Sequence, residues 1–283
     1  MRYLTDKNIM TSLRCPLCKS AMTVETEHSA SLCCVGQKKH CYDFSSRGYV
    51  NFAPPGHSTS GDSKKAVAAR SDFLDLQLYR PVAEALRDIV KKHCKAESGL
   101  LVDAGCGEGY YSMILAEGGY SVFGVDLSKF AVDTACKRAN VASCSNSFFA
   151  VCSVFELPLA DNSADALVNI FAPCAEDEYI RVLKDGGVAV IVYAGPDHLL
   201  GLKRAIYDIP HGNDGREDLP RNIDLVEEKR LTFEIELNTN ADIKNLFAMT
   251  PYYWKTSKKD FEKLETLSYL KTEIDIIIAV YKK

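Results

Sequence analysis

At 283 residues, 47% hydrophobic and 25% charged, the chain can bury one sizeable core and carry a smaller module besides. No apolar run approaches the roughly 18 residues that a bilayer span needs. The opening MRYLTDKNIMTSLRCPLC lacks the basic-then-apolar order of a secretion signal, so no membrane partner and a cytoplasmic location are expected. The net charge is -4, yet residues 1–70 hold ten Lys or Arg against five Asp or Glu, a basic front that would meet a polyanion first.

The first 41 residues hold Cys15, Cys18, Cys33, Cys34 and Cys41, whereas Cys94, Cys106, Cys136, Cys144, Cys152 and Cys174 are scattered through apolar segments. In a chain of this length the eleven cysteines read as thiols or metal ligands rather than as a disulfide framework. LRCPLCKSAM spaces Cys15 and Cys18 as a knuckle, and SLCCVGQKKHCYDF offers Cys33, Cys34, His40 and Cys41 about fifteen residues on. Two short ligand pairs separated by a hairpin suit the tetrahedron of zinc, with Cys34 and His40 favoured to complete Cys15 and Cys18, and Cys33 or Cys41 as alternatives. With its protein ligands filled, such an ion is structural, one per chain, and holds together a segment too small for its own core. Residues 1–55 are therefore assigned to a small zinc-ribbon-like module.

Next, GYVNFAPPGHSTSGDSKK, rich in Gly, Pro and Ser, reads as a linker or mobile loop. Residues 66–93 show helical spacing, with Phe73, Leu74, Leu78, Val82, Leu86 and Ile89 as buried positions, and 56–98 as a whole leads into the core. From residue 100, LLVDAG, YSVFGVD, SFFAVCSV, ADALVNIFAP and VAVIVYAGP read as strands, with KFAVDTACKRA and EDEYIRVL as helices between them. That alternation predicts an α/β fold with a mostly parallel, doubly wound sheet over 99–283. LVEEKRLTFEIEL and LSYLKTEIDIIIAVYKK add later strands, as an antiparallel edge.

The turn after the first of these strands, VDAGCGEGYYS, places Gly105, Gly107 and Gly109 where backbone must approach a ligand. A pyrophosphate site would want G-x-G-x-x-G; here Asp103 and Glu108 bring two carboxylates, which suit an ammonium group. Asp126 closes the next strand, where a carboxylate can accept both hydroxyls of a ribose. Amine plus ribose without phosphate describes S-adenosylmethionine and the Rossmann-like class I methyltransferase fold.

Over nearly its full length the chain also resembles the 23S rRNA (guanine-N1)-methyltransferases, a family that includes macrolide-resistance relatives. The resemblance rests on CPLC, GYVNF, GDSKKAVAARSDFLDLQLYRP, VDAGCGEGYYS, GVDLSK, IFAPC, AGPDHLLGLK and MTPYYW in family order. It implies a zinc domain that helps grip a 23S rRNA hairpin and a domain that methylates N1 of a guanine in its loop. It further implies zinc on Cys15, Cys18, Cys34 and His40, and a cofactor pocket lined by Tyr79, the Gly105–Gly109 loop, Asp126 and His198. The chain departs from the family in leaving five residues between Cys34 and His40, where three are usual, and in DLQLY, where a Gly is common.

Because the carboxyl ends of strands face the ligand crevice in such sheets, Phe171 in NIFAPC is expected to stack on the target base, with Pro173 shaping the wall. Trp254 is a second candidate platform. The basic residues Lys38, Lys39, Lys64, Lys65 and Arg70 favour RNA over a small-molecule substrate or a non-catalytic scaffold. The residues name no general base, and they leave monomer or homodimer open.

Overall fold

Residues 4–26, 30–53, 61–213 and 215–283 are described by the structure, a computed structural model. Asp6 accepts a hydrogen bond from the Ile9 amide and so caps the short helix α1 (Lys7–Ser12). Strands β1 (Met22–Glu25), β2 (Ser31–Cys34) and β3 (Cys41–Asp43) follow as a small antiparallel sheet in the order β1-β2-β3.

The stretch expected to be a linker is structured at both described ends. Val50–Asn51 form β4, which pairs parallel with a strand 100 residues later, at Ala150 and Val151. At the other end, Ser63 caps α2 (Lys64–Asp75). Residues 54–60, where the mobile-loop expectation centres, lie outside the described residues.

The helix expected over 66–93 is two helices, α2 and α3 (Arg80–His93). Gln77 takes a left-handed φ of 61° between them, and Pro81 stands in the first turn of α3. A left-handed position favours Gly, so Gln77 holds backbone that a glycine would adopt more readily.

The body then runs β5 (Leu100–Ala104), α4 (Tyr110–Glu117), β6 (Ser121–Asp126), α5 (Lys129–Val141), β7 (Ser147–Val151), β8 (Ala164–Ile170), α6 (Glu176–Val182) and β9 (Leu183–Ala194). It ends with α7 (Leu200–Ile206), β10 (Asp224–Leu237), α8 (Asn240–Ala248), α9 (Lys258–Glu265) and β11 (Leu270–Lys282). The eight strands order as β10-β11-β9-β8-β5-β6-β7-β4, parallel except for the β9-β11 and β11-β10 pairings. Seven of these strands are the expected sheet; β4 is the eighth.

Alternate residues of the central strands feed opposite faces. Leu101, Val168, Val190 and Ile278 pack with the α3, α4 and α8 side, while Val102, Leu167, Ile191 and Ala279 pack toward α1 and α6. Both faces are covered, so the strands read as near-continuous apolar runs. The second face also takes in the ribbon: Ile9, Leu13, Met22, Leu32 and Phe44 join one cluster with Phe123 and Phe148. Phe44 meets Phe148 edge-on at 6.1 Å, and Leu13 bridges to Leu159. The small sheet thus borrows its core from the large one.

Candidate functional site

In the ribbon, Cys15, Cys18, Cys34 and His40 present their ligand atoms within 4.8 Å of one another. Cys18 Sγ lies 3.6 Å from Cys34 Sγ, and His40 Nδ1 lies 3.5 Å from both Cys15 Sγ and Cys34 Sγ. Zn–S bonds of about 2.3 Å and Zn–N bonds of about 2.0–2.1 Å put tetrahedral ligands roughly 3.5–3.8 Å apart, so the set fits zinc. The Cys18 thiol is drawn down to about 6, chiefly by hydrogen bonding with Ser20, which favours the thiolate that a metal requires. The five residues between Cys34 and His40 form the turn of the β2–β3 hairpin, and the Cys34 amide donates to the His40 carbonyl at 2.9 Å, so the long spacing still returns His40 to the cluster.

Cys33 and Cys41 are corrected. Expected as thiols or as alternative ligands, they pair across β2 and β3 as a disulfide with Cα atoms 4.1 Å apart. Neighbouring residues of a strand face opposite sides, so the pair that stands beside Cys34 and His40 in sequence stands behind them in space.

The second site lies at the carboxyl ends of β5, β6 and β8. Gly105, Gly107 and Gly109 all have left-handed φ values, of 86°, 54° and 77°. A Cβ on Gly105 would come within 2.4 Å of the Ala172 methyl, and one on Gly109 within 2.8 Å of the Ala135 methyl. The loop can therefore be built only with glycine at these close approaches. Asp126 Oδ2 accepts from the Gly107 amide at 3.0 Å and Oδ1 from the Ser128 amide at 2.7 Å, leaving each carboxylate oxygen a further lone pair. Burial raises the Asp126 pKa.

Asp103 is 1% exposed; Ser112 Oγ bonds its Oδ2, while Oδ1 is buried without a partner among the described residues. Burial, with Asp126 and Glu108 nearby, pushes its carboxyl up to about 7 against the Ser112 hydrogen bond. An unpaired buried carboxylate oxygen is costly unless a cation meets it. Glu108, expected beside it as a second partner for an ammonium group, is instead taken by Arg70, whose Nε lies 2.5 Å from Oε2. The Arg70 guanidinium also pairs with Asp62 and sits against Gly107. Expected as a phosphate contact, Arg70 faces inward and holds α2 onto the glycine loop; nothing in the sequence distinguishes it from the surface lysines beside it.

Tyr79 and His198, 119 positions apart, meet here: the phenol oxygen is 3.4 Å from His198 Nε2. His198 Nδ1 accepts the Asp275 amide at 3.3 Å, so the neutral ring carries its proton on Nε2 and donates it to Tyr79. Burial holds the His198 pKa down to about 4, which keeps the ring uncharged at neutral pH. Phe171 stacks on the outer face of His198 at 5.8 Å and 22°. It is 47% exposed and takes a left-handed φ of 54°, and this ends β8 at Ile170, three residues before the expected Pro173. Pro173 is held through its carbonyl by Asn169 Nδ2 at 2.8 Å and by the Tyr179 hydroxyl at 3.2 Å. Trp254 lies on the turn Tyr253–Lys255, 75% exposed and edge-on to Tyr253.

Residues 97–229 match the family described as "Methyltransferase domain", and residues 13–60 match that described as "RlmA, N-terminal", a zinc ribbon. The 23S rRNA (guanine(748)-N(1))-methyltransferase of Streptomyces fradiae is 30% identical over 256 residues, covering 88% of each chain. The chain belongs to the 23S rRNA (guanine-N1)-methyltransferase family. The Bacillus subtilis protein YxjB, provisionally named for the same reaction, is 28% identical over 95% of this chain and 96% of its own. A solved structure described as a type II methyltransferase, from Anaeromyxobacter dehalogenans, shares the fold with a TM-score of 0.54 and 20% identity, over 70% of this chain and 95% of that one. The enzyme is an S-adenosylmethionine-dependent methyltransferase with a structural zinc ribbon. Its crevice fits that cofactor: a glycine cradle, an unpartnered buried carboxylate oxygen on Asp103, and a strand-end acid at Asp126. Among the described residues no helix is long and apolar enough to cross a membrane.

Proposed function

We propose that this enzyme methylates N1 of a guanine in a hairpin loop of 23S rRNA, and that it works in the cytoplasm. The observation that carries the reading is Phe171, a half-exposed ring held in left-handed backbone at the mouth of the cofactor crevice. Full burial of such a side chain is worth roughly 1.5–3 kcal/mol, so leaving about half of it exposed forgoes about half of that, and a guanine drawn out of its loop would recover part of it by stacking. Pro173 walls the target base, and Trp254 offers a second stacking face for a flanking nucleotide.

On the cofactor side, Asp126 accepts the ribose hydroxyls, Asp103 Oδ1 accepts the ammonium group, and Gly105, Gly107 and Gly109 admit the ligand to the backbone. Glu108 lines the pocket with its charge balanced by Arg70, and Tyr79 and His198 close the side next to Phe171. When bound, S-adenosylmethionine supplies a methyl group on a sulfonium, open to in-line displacement. The chain's own contribution is to hold guanine N1 about 3–3.5 Å from that carbon and to exclude competing poses. The N1 proton must leave during transfer, to water or to a base. Exposed Lys38 on the ribbon and exposed Lys64 and Lys65 at the start of α2 grip phosphates around the hairpin. Lys39 pairs with Glu25 at 2.6 Å across an exposed surface, which a phosphate can outcompete.

The test is methyl transfer to a 23S rRNA transcript, with the product nucleoside identified by mass spectrometry and the position by reverse-transcription arrest. One N1-methylguanine in a hairpin loop is expected. Methylation of another atom, of a paired stem nucleotide, or of free nucleoside at the same rate would overturn the reading.

A further inference from the structure

The target-side loop 171–174 owes its shape to a distant segment. Between α7 and β10, Arg216 and Asp218 form a two-pronged ion pair, with Nε to Oδ1 at 2.5 Å and Nη2 to Oδ2 at 3.1 Å. Each partner then takes one backbone group of the loop: Arg216 Nη2 donates to the Ala172 carbonyl at 2.6 Å, and Asp218 Oδ2 accepts the Cys174 amide at 2.9 Å. Arg216 also reaches Asn169 Oδ1 at 3.4 Å, and the other end of that amide holds the Pro173 carbonyl. The Arg216 side chain is only 12% exposed although its charge serves a surface connection.

We infer that Arg216 and Asp218 are positioning residues for methyl transfer, a clamp that fixes the pose of Phe171 and so the distance of the target N1 from the methyl group. The inference rests on the reading of 171–174 as the guanine-side loop. Three physical points carry it. Phe171 is a non-glycine residue in left-handed backbone, an unfavourable conformation that persists only where its surroundings hold it there. Its own amide goes to Val192, which anchors the N-terminal side of the loop, whereas the Ala172 carbonyl and Cys174 amide on the other side are held by the clamp. Finally, a bidentate Arg–carboxylate pair is directional, so it sets an orientation where a single contact would only tether. Arg216 and Asp218 bond to the backbone of the loop and not to the glycine loop or Asp126, so they reach the cofactor side only through Ala172, which packs on Gly105, and Phe171, which stacks on His198.

The experiment measures kcat and KM with a 23S rRNA transcript and, separately, S-adenosylmethionine affinity by calorimetry, for wild type, Arg216→Ala, Arg216→Lys, Asp218→Ala, Asp218→Asn and Phe171→Ala. Misplacement of a reacting group by about 1 Å costs up to roughly a hundredfold in rate, so Arg216→Ala and Asp218→Ala should each lower kcat by about ten- to a hundredfold. Cofactor affinity should stay within about twofold, and the double variant should be little worse than either single one, because the two act as a unit. Asp218→Asn keeps an oxygen for the Cys174 amide and should recover part of the rate. Arg216→Lys cannot hold both prongs and should not. The two lysine and asparagine variants keep the side-chain volume and carry the test if the alanine variants do not fold. A wild-type kcat in Arg216→Ala and Asp218→Ala beside an impaired Phe171→Ala overturns the clamp. A wild-type rate in Phe171→Ala overturns the assignment of the loop to guanine instead. A parallel loss of cofactor affinity marks general disruption of the crevice and also overturns the clamp.

Discussion

In the ribbon, four ligand atoms converge from two short segments, and the apolar residues around them belong to a cluster centred on the large sheet. In the crevice, the carboxylates Asp103 and Asp126 stand on strand ends whose position is set by parallel pairing of β5 with β6 and β8. One region therefore gathers its ligand groups in a segment that borrows its core, and the other sits on a sheet with a core of its own and can keep polar atoms unsatisfied for a ligand to meet. The unpartnered Asp103 oxygen is tolerable only because the surrounding sheet over-determines it.

The sharpest way to break the comparison is to remove zinc. Apparent binding energies of structural zinc are about 10–16 kcal/mol, so Cys15→Ser or Cys18→Ser should abolish a stoichiometry of about one metal per chain and melt the ribbon. Because Phe44 and Leu32 share the core of Phe148, amide exchange should rise in β4 and β7 as well as in the ribbon. Protection of β7 at the wild-type level would show that the two cores are separable. On the crevice side, Asp126→Ala should cost about 1.5–3 kcal/mol of S-adenosylmethionine affinity while zinc content and melting change little. Calorimetry showing wild-type affinity would remove Asp126 from the site.

A smaller effect follows from Asp103, whose pKa in the fold, about 7, lies above its ordinary 3.8. Below that value the carboxyl is protonated and must ionise to receive an ammonium group, so cofactor affinity should fall as pH drops through 7, approaching tenfold per unit, and level off above it. Asp103→Asn should be weak and pH-independent over this range; a pH-independent wild type would remove Asp103 as the ammonium partner. Smallest is the phosphate grip. Lys38→Ala with Lys39→Ala should lower the log–log salt slope of RNA binding by up to about 1.5, with cofactor affinity unchanged. An unaltered slope would assign these lysines to solvent.

Much of the crevice was legible because its chemistry is local: three glycines at alternate positions after an apolar run, and an acid at the end of the next strand, describe one turn and its neighbour. The ribbon was half legible. Cysteine and histidine spacing marks a metal knuckle, but whether Cys33 or Cys34 faces the ion depends on strand register, which adjacent cysteines leave ambiguous. Arg70, Arg216 and Asp218 left no trace in the pattern, since a charged residue on a helix or irregular connection looks the same whether it meets water or a buried backbone carbonyl. Gln77 and Phe171 were hidden for a related reason: left-handed backbone is announced by glycine, and neither position has one.

The pairing of Val50 and Asn51 with Ala150 and Val151 also orders events in time. At about 5–20 residues per second of synthesis, β4 leaves the ribosome roughly 5–20 seconds before its partner strand exists. Over that interval the apolar face of the nascent ribbon has no sheet to lie on, and its four metal ligands, all within the first 40 residues, are already made. Zinc bound in that interval would therefore act as a folding ligand, long before the crevice that carries the chemistry exists.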